Sequence, residues 1–343
     1  MKKLLQIAAI GVAYAVASVG AQANVHANQV ADFYKGKDIE LRIGYKPGGG
    51  YDNYARLLAR HIGKHIPGNP NVIPKNMPGA GSVKLTNYLW EGAPQDGTVI
   101  GAISRGAPFE PLLGNSKAKF SADQFTWLGS ANNEVSICAT VKRTGMKSWE
   151  ELKTREVTTG GNGSGSDTDQ FPKLLNAVLG TKFKVVGPYG GGSDIVKGMI
   201  AGELDARCGW SWSSIKSKNK ELLASGDLVL LMQMSTEKHP DLPNVPLVMD
   251  LTKDKESLQI LNLMFARQGL GRPYVAPPGV PAKRAKALQD AFMKTMSDPE
   301  FLAEAKKGGV NLSPISGDRV AQLVAEAYKT PKAVIARTID AIR

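Results

Sequence analysis

From residue 39 onward the chain alternates between two hydrophobic periods. Ile39-Glu40-Leu41-Arg42-Ile43-Gly44-Tyr45 switches between apolar and polar at nearly every step, which predicts a strand. Tyr54, Leu57, Leu58, His61 and Ile62 then recur at the spacing of one helix face. Asn71-Val72-Ile73-Pro74 reads as short and extended, Val83 to Leu89 as helical, and Thr98 to Ile103 as a buried strand. The scheme restarts after about Ser130. Strands are predicted at Glu134–Val141, Glu156–Thr159, Lys182–Val186, Leu204–Cys208 and Leu228–Met234. A short helix over 148–153 has Ser148 as its expected cap, and longer helices are predicted at Asp169–Leu179 and Asp194–Ala201. Prolines make a loop of His239 to Pro246 and a rigid turn of Pro277 to Pro281. Helices at Ala282–Met296, Asp298–Lys307 and Gly317–Tyr328 complete the reading. Two similar strand–turn–helix sets predict an α/β protein with two lobes, each an open, mostly parallel sheet with helices on both faces.

Four glycine-rich turns punctuate this scheme: Gly48-Gly49-Gly50, Gly79-Ala80-Gly81-Ser82, Gly163-Ser164-Gly165-Ser166 and Gly190-Gly191-Gly192-Ser193. Each follows a strand or extended segment and opens a helix, so each offers unpaired backbone N–H groups at the positive end of a helix dipole. Any one alone reads equally as a tight turn and helix start and nothing more, or as an anion site. Four at equivalent places, two in each half, point to an anion held from both sides of a cleft, beyond the ends of the strands. Asp52 is read as a cap organising the first turn, with Arg56 four residues on as its partner. It could also meet a ligand amine or hydroxyl. Arg105 follows a strand end, where it either grips a carboxylate in the cleft or lies on the surface. Trp210 and Trp212 are read as pocket wall, hinge or core.

The chain begins with Lys2 and Lys3, an uncharged run from Leu4 to about Val19, and the small residues Ala21-Gln22-Ala23. That layout is a secretory signal peptide cleaved after about Ala23, with a weaker site after Ala27. What remains exceeds the roughly 250–300 residues at which a single core stops growing. Residues 24–130 together with 226–343 are therefore expected to form one lobe, and 131–225 the other. The formal net charge of +12 suits an acidic ligand or surface. Cys138 and Cys208 both fall in strand-like runs, either bridged in an oxidising compartment or free and buried.

Enzyme and nucleotide motifs fail. A dinucleotide fingerprint started at Gly48 meets Asn53, one started at Gly161 meets Ser166, and no strand ends in a P-loop. His61 and His65 lack the His-Glu-x-x-His pattern, so a solvated helix face is expected there and no metal or cofactor. Ser104 and His239 are poor candidates for nucleophile and base.

The runs Gly44-Tyr45-Lys46-Pro47-Gly48-Gly49-Gly50-Tyr51-Asp52, Ala55-Arg56-Leu57, Asn76-Met77-Pro78-Gly79-Ala80-Gly81-Ser82 and Ala93-Pro94-Gln95-Asp96-Gly97-Thr98 follow one another in order. With Pro188-Tyr189-Gly190-Gly191, Gly202-Glu203-Leu204-Asp205, Ala276 to Pro281 and Asp298-Pro299-Glu300-Phe301, the chain resembles the extracytoplasmic receptors of tripartite tricarboxylate transporters, also called the Bug family. The resemblance implies a two-lobed periplasmic binding protein of type II-like architecture, monomeric, with no nucleic-acid partner. Such a receptor closes on a mono-, di- or tricarboxylate or an aromatic acid and delivers it to membrane permease subunits. It also implies carboxylate contacts from Gly48 to Asp52 and Gly79 to Ser82, with Ser164, Ser166 and Thr168 from the second lobe; Ser193, in the fourth turn, joins this set. Tyr51 stands where many members carry Ser or Thr, which makes it the position expected to select the acid. A periplasmic sensor feeding a signalling kinase would need the same cleft.

Overall fold

The protein is described here from residue 29 to 343 in a computed structural model. The expected signal peptide lies outside the described residues.

Two sheets form. The first is built from β1 (Asp38–Ile43), β2 (Asn71–Asn76), β3 (Val99–Ala102), β4 (Thr126–Ser130), β10 (Pro273–Ala276) and β11 (Ile315–Ser316), in the order β11-β4-β10-β3-β1-β2. The second holds β5 (Ser136–Val141), β6 (Val157–Gly160), β7 (Phe183–Val186), β8 (Ala206–Ser211) and β9 (Leu228–Met234), in the order β7-β6-β8-β5-β9. Parallel pairs occur where strand–turn–helix units repeat, β1 with β2 and β3, and β6 with β7 and β8. Strands flanking the crossings between lobes run antiparallel: β10 against β3 and β4, and β5 against β8 and β9. Both sheets are therefore mixed, within an α/β fold.

Two features of the lobe division differ from the sequence expectation. β9 lies beyond the expected boundary at Ser225, yet it pairs with β5 from Ser136–Met234 to Val141–Leu228 and so belongs to the second sheet. The Lys332–Ile342 helix does not return wholly to the first lobe. It lies against the Asp167–Leu179 and Lys255–Ala266 helices, and Val334 joins the apolar cluster that contains Phe171 and Phe265. Those two rings meet edge to face at 5.0 Å, a geometry that suits aromatic quadrupoles. The chain crosses between lobes twice, around 131–135 and 267–272, and the crossings are hydrogen-bonded together by Ala131 N–H to Arg272 O and Glu134 N–H to Gln268 O.

Locally, Ser148 does not cap. The short helix is Glu150–Lys153, and the Glu151 carboxylate accepts the N–H groups of Lys147 and Ser148 instead. Cys138 and Cys208 are joined in a disulfide, because β5 and β8 are neighbours in the second sheet.

Candidate functional site

A cavity of about 300 Å³ lies between the lobes. Two of the four glycine turns form opposite walls. In the first lobe Gly48 adopts a φ of +89°, Gly49 takes the cap position, and the Gly50–Ile62 helix starts. In the second lobe Gly191 caps the Gly192–Ala201 helix. The two helix starts meet: a Cβ on Gly49 would lie 4.0 Å from the Gly192 nitrogen, and one on Gly48 3.9 Å from Ser193 Oγ. Two positive helix ends approaching this closely repel each other unless an anion sits between or beside them. At the rim, Lys46 reaches Asp194 at 3.4 Å across the cleft.

Asp52 is not the first helical residue but the third. Its carboxylate bonds back to the Gly48 N–H at 2.9 Å, and also takes Arg56 Nε and Asn76 Nδ2, each at 2.9 Å. It therefore fixes the turn from behind, and it does not line the cavity. Tyr51 does. Its ring stacks on Tyr45 with centroids 4.7 Å apart, and its hydroxyl accepts the Arg105 N–H at 3.0 Å.

The other two turns press on each other. Gly81 N–H donates to Asn162 O at 3.2 Å, and a Cβ on Gly81 would fall 2.3 Å from Gly165 C. Gly79, Ala80, Gly81, Ser82 and Ser164 consequently do not line the cavity. Ser82 Oγ is spent accepting the Ser104 N–H at 3.1 Å. Ser166, Thr168 and Ser193 do line it. The Ser166 hydroxyl is bonded to Asp169 at 2.7 Å, however, and that of Thr168 to Asn162 at 3.1 Å.

Three guanidinium groups edge the cavity, and their partners differ. Arg105, fully buried, meets Asp167 across the lobes at 2.6 Å and donates to Ser136 and Ser211 hydroxyls. Asp167 also takes Arg267 at 3.4 Å. Arg105 thus lines the cavity fully buried and bonded to protein groups, which overturns the alternative that it lies on the surface. Arg272 pairs with Glu134 at 3.2 Å and lies over the Tyr51 ring. Arg207, on β8, has no carboxylate partner among the described residues. Its Nη1 donates to Gly192 O at 3.0 Å, its guanidinium lies 4.8 Å from the Trp210 ring centroid, and its Nε is buried without a partner. Burial, then Arg272, pulls its pKa well below the ordinary arginine value, the mark of a cation short of an anion. Trp210, wholly buried at the cavity wall, leaves its Nε1 unpartnered as well.

Sequence reading missed Arg207, Arg272, Tyr45 and Asp167. Arg207 carried a signal in hindsight: the one charged residue of the buried strand Ala206–Ser211. Elsewhere, His61 and His65 are not on a free solvated face. His61 pairs with Glu304 at 2.6 Å and ties the Gly50–Ile62 helix to the Pro299–Lys307 helix, and His65, in the turn after the first helix, meets Asp298, the cap of the second, at 2.9 Å. Ligand atoms of His61, Asp298 and Glu300 lie within 4.8 Å of one another, with the Lys64 ammonium bonded to both carboxylates. Ser104 edges the cavity, whereas His239 lines a separate groove.

Comparison with known proteins agrees with this layout. The family model described as the tripartite tricarboxylate transporter family receptor matches residues 54–339. A UPF0065 protein in the gbd 5' region of Cupriavidus necator is 26% identical over 335 residues, covering 96% of this chain and 95% of the relative. The periplasmic binding protein BugD superposes with a TM-score of 0.69 at 18% identity, over 88% of this chain and 98% of its own. MatC from Rhodopseudomonas palustris, with bound malate, gives 0.68 at 19% identity, over 90% and 99%.

Proposed function

The chain belongs to the tripartite tricarboxylate transporter receptor family, and on that premise we propose that it is an exported periplasmic receptor. It closes two lobes around a small carboxylate and hands it to membrane permease subunits. The observation that carries this reading is the pair of glycine-started helices, one from each lobe, whose positive ends face each other at Gly49 and Gly192 beside the cavity between the lobes. An anion there meets backbone N–H donors from both sides, and only in the closed arrangement, so binding and closure are one event. Malate bound to MatC supports the ligand class. The chemistry asked of the site is capture and release. No described helix is long and apolar enough to cross a membrane, so the permease would supply the path.

A thermal-shift screen over organic acids tests the reading. An acid at 100 times its Kd should add about 2.7 kcal/mol of stability. Failure of every mono-, di- and tricarboxylate to raise the melting temperature would remove the proposal's basis. Loss of uptake of the bound acid on deleting the gene tests delivery to a permease.

A further inference from the structure

The helix starts supply partial charges, and the cavity wall also holds a partly buried guanidinium that no carboxylate among the described residues answers, set apart from the exposed Lys197 and Lys218 that line the cavity as well. Asp167 is taken by Arg105 and Arg267, and Glu134 by Arg272 and the Ser213 hydroxyl. Arg207 is left without a carboxylate among the described residues. Its fork is nevertheless held in place. Nη1 is fixed on Gly192 O, the plane lies against Trp210, and the next residue, Cys208, is tied to Cys138 on the adjacent strand. What remains is the Nε–Nη2 edge, the side on which two parallel N–H bonds match the two oxygens of a carboxylate. Trp210 Nε1, buried and unpartnered at the same wall, is a further donor.

Resting on the carboxylate-receptor reading, we infer that Arg207 is the side-chain anchor of the ligand: its Nε–Nη2 edge grips the carboxylate side-on, Trp210 Nε1 assists, and the pair makes a planar anionic group the requirement for binding. The helix starts alone would favour any anion or strong acceptor; the fixed fork selects a charged, planar one. A guanidinium kept for structure would be expected to have a carboxylate, since an uncompensated partly buried charge costs stability. Removing Arg207 should therefore cost the ligand-free protein little while removing its selectivity.

The test uses three probe pairs, malate and malamide, adipate and adipamide, benzoate and benzamide, titrated calorimetrically into the wild-type protein, Arg207→Met, Arg207→Lys and Trp210→Phe. The expected result has at least one acid binding wild type while its amide does not. Arg207→Met should weaken that acid by about 10–100-fold, the scale of charge-assisted hydrogen bonds. Arg207→Lys, which keeps the charge and loses the fork, should fall between, and Trp210→Phe should lose several-fold. The ligand-free melting temperature of Arg207→Met should be unchanged or higher. If Arg207→Met proves unfolded, the lysine variant decides alone. An acid that binds Arg207→Met or Arg207→Lys as tightly as wild type, or an amide that matches its acid in wild type, overturns the anchor and leaves the receptor reading intact. If malate, adipate and benzoate all fail to bind wild type and the wider acid screen is also empty, the carboxylate reading falls and takes the anchor with it.

Discussion

Arg105 and Asp167 come from opposite lobes, and their side chains meet at 2.6 Å in full burial. Both residues line the cavity, and the same Asp167 also holds Arg267 on the returning crossover. Breaking a buried pair by deleting one partner costs about 3–5 kcal/mol, since the remaining charge loses its compensation. Asp167→Ala strands two guanidiniums, so it is expected at the upper end of that range in urea denaturation. Asp167→Asn, which keeps a hydrogen-bonding oxygen, should cost less. Equal, small losses for both would mean the lobes separate there at no cost.

Gly49 and Gly81 are both turn glycines, but the structure assigns them different constraints. Gly49 has a φ of −85°, which any residue adopts, and its Cβ direction points across the cleft toward Gly192. Gly49→Val should therefore fold normally and weaken acid binding by at least about tenfold, or about 1.4 kcal/mol. Gly81 has a φ of +64° and sits against the Gly165 backbone. Gly81→Val adds left-handed strain of roughly 1–2 kcal/mol to a clash that holds the lobes apart. It should lower stability and enlarge the radius of gyration measured by small-angle X-ray scattering. Gly180→Ala, at φ +70° with open space around it, is the control that shows strain without the clash.

The contrast between those glycines marks where sequence reading stops. Clusters of glycine after strands announce helix starts, and all four were legible because the signal is local. Which turn faces which is set by lobe packing, and here it divides them: 48–50 and 192–193 flank the cavity, while 79–82 and 163–165 seal against each other and only Ser166 of those two turns reaches it. β9 was legible as a strand, but its membership of the second lobe depends on pairing with β5, almost a hundred residues earlier. β10 starts at Pro273 and spans four residues, too few for a period to show. Arg207 needed the knowledge that every nearby carboxylate was already taken. That is a property of three-dimensional bookkeeping and not of spacing.

The Pro299–Lys307 helix is held to the Gly50–Ile62 helix through charges, which makes its docking pH-dependent. Lys64, together with the Phe301 N–H, holds the Asp298 carboxyl far below the usual range, and Arg60 then His61 lower that of Glu304. A carboxyl depressed in the folded state contributes stability above its unfolded pKa of about 4, and loses it as pH falls through the folded value. Stability should thus be level from neutral pH down to about 5 and decline below about 4. Asp298→Asn should flatten that acid limb in urea midpoints measured against pH, while also weakening the cap on Glu300 and Phe301. An unchanged acid limb in the variant would place the acid sensitivity elsewhere.

The disulfide between Cys138 and Cys208 closes a separation of 70 residues and ties β5 to β8, one residue from Arg207. Cross-linking across so long a loop restricts the unfolded chain, typically by about 2–4 kcal/mol. Cys138→Ser with Cys208→Ser should lower stability on that scale, since both side chains are wholly buried and two hydroxyls would replace an apolar bridge there. The second consequence is positional. If the bridge also holds β8 so that the Arg207 fork is preset, a Cys138→Ala, Cys208→Ala variant that still folds should bind its acid several-fold more weakly, with the loss appearing in the entropy of binding by calorimetry. Unaltered affinity in a folded alanine variant would confine the bridge to stability, and would show that the β8 pairing with β5 and β6 alone sets the arginine in place.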